Sequence, residues 1–341
     1  MPHSLTEDAH AVLFPAFDGV TLSDPVRRYL DRGGVSILVG ESRAEYVARE
    51  MSAARKAAET PETFRRLVRD AEGHTDLLLT AIDQELGGIC RLHGLALAFP
   101  PRAEIATTSA AQIEAQAAEV ARVAADLGIN LFLAPILDAL DGPNAWLEGR
   151  TWSADPEVIG RLSAAYIRGV QGAGVAATAK HFPGFRSVTA DPAIDATAVS
   201  LTELPAVEAG LAPFRAAIAA DVDVIMVGPA IVRAMDPAKA ALRSTEVVRR
   251  LTQGLGFRGV VMADDLDSQA TMRGDSVAEV AIDALNAGCD FLLLADIGTQ
   301  VTEIAGVIEA AARSGQISAE ALARSAAKVR ALAARRAVRL T

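Results

Sequence analysis

Short aliphatic runs alternate with longer stretches of helical period along almost the whole chain, and this alternation limits the fold more than any other feature. The runs are Ala11–Phe17, Val35–Gly40, Leu77–Asp83, Asn130–Ile136, Val175–His181, Val224–Pro229, Gly259–Asp264 and Asp290–Ala295, about eight in all. Each reads as a continuous apolar block, not as apolar/polar alternation. Both faces of such strands must be buried, which indicates a parallel sheet covered by helices. Helical patterns fill the gaps at Ala110–Leu127, Pro156–Gly172, Thr202–Ala220, Thr245–Leu255 and Val277–Ala287. Ser244 and Ser276 stand where N-caps belong. The repeat predicts an α/β fold, a (β/α)8 TIM-type barrel. A doubly wound open sheet shares this periodicity, but no G-x-G-x-x-G follows the first run, so its dinucleotide-binding form has no support.

A chain of 341 residues, 51% hydrophobic and 22% charged, is of barrel size. No linker, low-complexity block or charge run divides it, so residues 1–341 are expected to form a single domain. The segment Ser318–Leu340 predicts a long final helix. With 33 basic and 43 acidic residues the net charge is -10, a field that opposes nucleic acid and anionic membranes. Arg330, Arg335, Arg336 and Arg339 cluster at the end of that helix, where cations complement the helix dipole, so they do not read as a polyanion tail. Cys90 and Cys289 lack redox or zinc spacing and read as buried free thiols. The N-terminal residues show no basic or apolar leader pattern and no run is long enough to span a bilayer, which leads to the expectation of a cytoplasmic protein. No ligand-spaced cluster suggests a metal, and no phosphate loop suggests a nucleotide cofactor.

The apolar runs end in charged or hydrogen-bonding residues on the edge where barrel enzymes build their sites. The third ends in Asp83-Gln84-Glu85, the fifth in Lys180-His181 and the seventh in Asp264-Asp265, and the loop after the fourth adds Arg150. Each also has a structural reading. Asp265 or Asp267 would serve as the N-cap of the next helix, Asp83 and Glu85 as solvated loop carboxylates, Arg150 as a surface cation and Lys180 as half of an ordinary ion pair. Together they point to one site.

The segment Ala179-Lys180-His181-Phe182-Pro183-Gly184 resembles the Lys-His-Phe-Pro-Gly motif of glycoside hydrolase family 3, in its branch of single-domain β-N-acetylhexosaminidases. Further segments follow in the family's order. Leu13–Gly19 is similar to its first strand and turn, and Asp83–Gly88 to its Asp-Gln-Glu-Gly-Gly with Leu86 as an extra residue. Leu127–Asn130 and Ala134–Asp138 resemble its Gly-Ile-Asn and Ala-Pro-x-x-Asp, Arg150-Thr151-Trp152 its Arg-Ser-Phe, and Leu255–Leu266 the stretch that bears the nucleophile. The resemblance implies that Asp264 is a nucleophile forming a glycosyl-enzyme intermediate, and that Asp83, Arg150, Lys180 and His181 hold the hydroxyls of a small sugar or glycoside-like substrate.

Two positions depart from the family pattern. The family motif continues His-Gly-Asp-Thr-x-x-Asp-Ser-His, and its closing Asp/His pair supplies the general acid/base; here Ala193 stands at the His position and Pro229 replaces a second His after the sixth strand. Loss of the acid costs on the order of a hundred- to ten-thousandfold with poor leaving groups. Three readings follow: a glycosidase with Asp191 or Asp195 as acid or with a leaving group needing little protonation, a lyase- or isomerase-like enzyme on a sugar-like metabolite, or an inactive sugar binder. The intact Asp264 favours an enzyme. Asp191 precedes Pro192, which biases it to extended backbone, and its carboxylate is expected to point into the pocket.

Overall fold

The computed structural model describes residues 3–337. In chain order its strands are β1 (Leu13–Phe17), β2 (Ser36–Val39), β3 (Leu79–Ile82), β4 (Leu131–Phe132), β5 (Ala176–Phe182), β6 (Val199–Ser200), β7 (Val224–Val227), β8 (Ile231–Val232), β9 (Val260–Ala263) and β10 (Phe291–Leu294). All except β6 and β8 close into a barrel of order β1-β10-β9-β7-β5-β4-β3-β2. Every neighbouring pair in it is parallel. Each aliphatic run of the sequence holds one barrel strand, β5 extending one residue past its run to Phe182, and β2, β3, β5, β7, β9 and β10 are buried at every residue. The barrel is closed, so the open-sheet alternative falls.

Burial of both strand faces follows from the two layers. Side chains such as Leu38, Leu133, Met226 and Leu293 point to the barrel interior's upper end, where they line its mouth. Phe14 and Phe291, on neighbouring strands, stack at 4.7 Å. Outside, amphipathic helices cover the strands. Ala110–Asp126 begins with a Ser109/Gln112 capping box, Pro156–Gly172 has Pro at its first position with Asp155 as cap, and Val277–Ala287 begins with a Ser276/Glu279 box and stops at Gly288. Ser244 accepts the Val247 N–H, as the cap reading requires.

Two expected helices differ in detail. Thr202–Ala220 is two helices, Leu204–Gly210 and Ala212–Ala219, because Pro213 has no N–H to continue the ladder and sits instead in the first turn of the second helix. Thr245–Leu255 starts as α-helix over Thr245–Arg249 and widens to a π-helical turn over Arg250–Gly254. The short sheet of β6 and β8 was not legible in the sequence, since its strands have two residues each. It ties the loop after β5 to the loop after β7.

The last helix, Ala319–Arg335, packs against the barrel's outer layer. Arg330 pairs with buried Asp8 at 2.6 Å and Arg336 with Asp223 at 2.6 Å, with Arg335 on the same carboxylate at 3.1 Å. Those arginines are internal ion-pair partners. Arg339 lies outside the described residues. Cys90 and Cys289 are both free, Cys289 fully enclosed and Cys90 partly. Among the described residues no helix is long and apolar enough to cross a membrane.

A β-bulge marks the upper end of β5. Lys180 pairs with Met226 and Phe182 with Val227, so His181 is the extra residue in the register. Such a bulge re-aims side chains at a barrel rim. The backbone beyond β7 runs close beneath it: a Cβ on Gly228 would lie 2.1 Å from the Phe185 ring and 3.2 Å from the His181 Cβ, and Phe185 is fully buried. Gly228→Ala is therefore expected to destabilise the fold by about 1–3 kcal/mol through overpacking. Urea denaturation of the two proteins measures the difference, and equal midpoints would show that Phe185 can yield.

Candidate active site

The C-terminal ends of the strands open into one cleft that encloses about 770 Å³ of empty space, mouth included. Asp83, Arg150, Lys180, His181 and Asp264 all line it. The five residues singled out at separate strand ends and on the loop after β4 thus converge.

One side of the cleft is a buried chain of charges. Lys180 Nζ lies 2.6 Å from Asp83 Oδ1 and 3.0 Å from Glu85 Oε1. Arg150 Nη2 donates to the same Glu85 oxygen at 2.6 Å, while Glu85 Oε2 accepts from the Ile89 N–H at 2.9 Å. Burial by itself would raise the Glu85 carboxyl, but the charges of Arg150 and Lys180 overcome it and hold that carboxyl well below the usual range. Burial would likewise lower Lys180, and the charges of Asp83 and Glu85 raise it instead. Arg150 is raised in the same way. The solvated-carboxylate and surface-cation readings of Asp83, Glu85 and Arg150 are overturned: all three are buried, in one network. Gly88 makes room for it, since a Cβ there would sit 2.1 Å from Glu85 Oε2.

The other side is built around Asp264. Its Oδ1 accepts the Asp265 N–H at 2.8 Å, and its Oδ2 is buried with no hydrogen-bond partner, 3.9 Å from His181 Nε2. His181 is held in turn by Asp138, whose Oδ2 lies 2.9 Å from Nδ1 and accepts the His181 backbone N–H at 3.0 Å. The second oxygen of Asp138 accepts the Phe185 N–H at 2.7 Å. A carboxylate can only accept, so Nδ1 carries a proton and Nε2 is the atom turned to the cleft. Trp146 packs on the His181 ring at 4.4 Å and donates its indole N–H to Tyr46 Oη at 3.0 Å. Tyr46 Oη also accepts from Arg150 Nη1 at 3.1 Å, which links the two sides of the cleft. Burial raises the Tyr46 phenol.

Asp265 also lines the cleft. Burial, then the adjoining charges of Asp264 and Asp267, push its carboxyl well above the ordinary range. Neither Asp265 nor Asp267 caps the next helix. Ser268 does, accepting the Thr271 N–H, while Asp267 accepts the backbone N–H groups of Ala295 and Asp296 at the end of β10. The cap expected of these aspartates is corrected, because the hydroxyl one residue later takes the role.

Asp191 is not brought into the cleft wall. Its Oδ1 accepts the N–H of Ala193 at 2.9 Å, a local turn bond within its own loop, while its charge is felt by Tyr46 in the cleft. Asp195 does the same with Thr197, through both its N–H and its hydroxyl at 2.7 Å. Those bonds lower the Asp195 carboxyl, which makes it a weak proton donor at neutral pH. Ala193 itself does line the cleft. Asp138, Tyr46, Trp146 and Glu41 are cleft or supporting residues that the sequence reading did not single out. Asp138 had a signal, as the end of the Ala-Pro-x-x-Asp segment. Tyr46, Trp146 and Glu41 had none.

Among the described residues no group of His, Cys, Asp and Glu is arranged to hold a metal ion. A closed parallel barrel with carboxylates, cations and a histidine gathered at its C-terminal mouth defines the class: a TIM-barrel protein with a polar cleft at the edge where such folds build their sites. The profile of the glycosyl hydrolase family 3 N terminal domain matches residues 17–332, and the chain belongs to that family. The beta-hexosaminidase of Xylella fastidiosa (strain 9a5c) is 36% identical over 226 residues, covering 64% of this chain and 67% of that protein. The beta-hexosaminidase of Stenotrophomonas maltophilia (strain K279a) is 35% identical, over 63% of this chain and 66% of that protein. The glycoside hydrolase family 3 beta-N-acetylglucosaminidase from Paenibacillus sp. str. FPU-7 superposes with a TM-score of 0.88 at 29% identity, over 98% of this chain but only 63% of its own. Beta-N-acetylhexosaminidase from Beutenbergia cavernae DSM 12333 superposes with a TM-score of 0.83 at 25% identity, over 97% of this chain and 99% of its own.

The charge chain makes a stability prediction. Glu85→Gln removes a fully buried partner from Arg150 and Lys180 and is expected to cost about 3–5 kcal/mol at pH 7. The Glu85 carboxyl sits below its ordinary value of 4.5 in the folded state, so its contribution is complete above that pH and drains away as pH falls towards the folded value. The deficit of the variant should therefore narrow in acid. Thermal denaturation of both proteins from pH 3 to 7 reads this, and a constant deficit would contradict the ion-pair origin.

Proposed function

We propose that the chain is a glycoside hydrolase of the β-N-acetylhexosaminidase type in which Asp264 is the nucleophile. The observation that supports it most is the state of Asp264: a carboxylate pinned through Oδ1, with Oδ2 unpartnered and turned towards His181 Nε2 at 3.9 Å. A buried polar oxygen left without a partner is costly, and this one belongs to a residue in the cleft wall.

In this reading the sugar lies with its anomeric carbon at Asp264 Oδ2. The carboxylate bonds to that carbon as the bond to the aglycone oxygen breaks, and water then cleaves the glycosyl-enzyme ester. Lys180, Asp83 and Arg150 supply donors and acceptors for the hydroxyls, and His181 Nε2 faces the sugar beside the reacting centre. The charge chain and Asp138 keep these groups in place before substrate arrives, which is the positioning that such a displacement needs.

The aglycone oxygen leaves with poor proton assistance. Ala193 occupies the wall where the related hexosaminidase motif has its acid/base His, and the carboxylates of Asp191 and Asp195 are engaged within the loop. This favours substrates whose leaving group needs little protonation.

Three variants test the reading. Asp264→Asn is expected to bind N-acetylglucosamine as the natural protein does while losing at least about a thousandfold in turnover of 4-nitrophenyl N-acetyl-β-glucosaminide, since it removes charge and nucleophilicity at almost constant volume. Unchanged turnover would remove Asp264 from the mechanism. Because only alkyl aglycones need the proton, nitrophenyl substrates should be cleaved far faster than alkyl ones. Ala193→His should raise the alkyl rate by tenfold or more and change the nitrophenyl rate little. Replacement of Asp191 by Ala should leave both unchanged; a specific loss with alkyl glycosides would make Asp191 the acid.

A further inference from the structure

Glu41, two residues beyond β2, lines the cleft and takes no part in the contacts described above. Its position is fixed by the backbone before it. The Gly40 N–H donates to Phe17 O at 2.9 Å, and Gly40 O accepts from the Nε of fully buried Arg91 at 2.8 Å. The residue is partly open to the cleft, while its Oε2 is sealed from solvent and has no hydrogen-bond partner.

The charges around Glu41 explain why it is left over. It is faced by Asp83 and Glu85 from beyond β3, by Lys180 from β5 and by Arg91 from the connection after β3. Asp18, Arg43 and Asp296 line an adjoining recess that Glu41 also lines. Lys180 is already shared between Asp83 and Glu85, Arg91 gives both terminal nitrogens to Glu59 at 2.6 and 2.7 Å, and Arg43 pairs with Asp296. No neighbouring cation is free for a third carboxylate. Burial, and then the charges of Asp83 and Glu85, push the Glu41 carboxyl up to about 8. At neutral pH it therefore has both a donor and an acceptor to offer.

Its place in the ring of strands separates it from the reacting centre. From β2 the barrel runs through β1 and β10 before reaching β9 and Asp264, whereas Asp83 stands on the adjacent β3. We propose that the Glu41 carboxyl is a specificity-determining contact that hydrogen-bonds a ring hydroxyl of the bound sugar on the β2–β3 side of the cleft, away from Asp264. A hydroxyl both donates and accepts, so it matches a neutral carboxyl whose other oxygen is open to the cleft. A carboxylate there would repel Asp83 and offer no donor. The proposal rests on the hydrolase reading for its ligand class.

The test compares natural protein, Glu41→Gln and Glu41→Ala. With 4-nitrophenyl N-acetyl-β-glucosaminide at pH 7, Glu41→Gln should stay within a few-fold of the natural protein in kcat/KM. Glu41→Ala should raise KM about tenfold and leave kcat within a few-fold, the mark of a binding contact remote from the bond being broken. Above pH 8 the KM of the natural protein should rise as the carboxyl loses its proton, and that rise should be missing in Glu41→Gln. Calorimetric titration of the same proteins with N-acetylglucosamine separates the two readings. Binding that weakens in Glu41→Ala without turnover by the natural protein supports the contact and defeats the hydrolase. Turnover with equal KM in all three proteins, or with the same alkaline profile in natural protein and Glu41→Gln, overturns the contact alone. No binding of N-acetylglucosamine by the natural protein overturns both.

Discussion

The cleft depends on Glu85. This carboxylate has no exposure, yet it takes Lys180 and Arg150 on one oxygen and the Ile89 N–H, with Arg150 Nε at 3.3 Å, on the other. It thereby fastens β5 and the loop after β4 to the end of β3. With Asp83 added, two anions meet two cations, and the buried group is close to neutral as a whole. Such a network is costly to desolvate and gains little stability over an apolar packing, so its presence in the barrel mouth argues for positioning. Lys180 and Arg150 are held extended, with their heads at defined points, before any ligand arrives.

The same accounting governs the neighbouring carboxyls. Once Lys180 and Arg150 are engaged and Arg43 is held by Asp296, neither Asp265 nor Glu41 has a cation paired to it among the described residues. Asp265, crowded by Asp264 and Asp267, and Glu41, crowded by Asp83 and Glu85, are both driven towards the protonated form. The cleft therefore holds carboxyl groups of different character within one small volume, and environment assigns the difference. Asp264 is distinguished by geometry: one oxygen on a backbone N–H, the other left bare beside His181.

Much of this was legible in the sequence because barrel strands are short, apolar and buried on both faces, so their ends stand out as the first polar residues after an aliphatic block. Asp83, Lys180, His181 and Asp264 are such residues. Arg150 was legible only through its motif, since nothing in a loop sequence announces that a cation will be drawn inward by Glu85. Tyr46 lies in the short helix Arg43–Ala48 and Trp146 in a loop, both placed by tertiary contacts, Arg49 Nη2 to Trp146 O at 2.9 Å among them, and periodicity says nothing about those. Glu41 stands beyond Gly40, two residues past β2 and outside every motif quoted above, so nothing in the sequence set it apart. The break at Pro213 was visible in principle, because a proline inside a helical pattern opposes its continuation.

The loop after β5 bears on the chemistry through its anchoring. Pro192 O and Ala193 O accept the N–H groups of Ala270 and Gln269 in the first turn of the helix that follows Asp264 and Asp265, with distances of 3.0 and 3.4 Å. Arg273 Nη1 holds Ala196 O at 2.7 Å, and Thr189 bonds to Val199 on the return. The loop thus caps a helix end that would otherwise leave orphan donors, and it is bound to the segment bearing the proposed nucleophile. Bringing Asp191 into the cleft would require breaking its bond to Ala193 N–H and disturbing the carbonyls on either side that serve as the cap. On the proposed hydrolase reading, the methyl of Ala193 leaves the adjoining space to the aglycone, and the leaving group would meet a small apolar wall where the family motif has an imidazole, which shifts the burden of departure to the leaving group's own acidity.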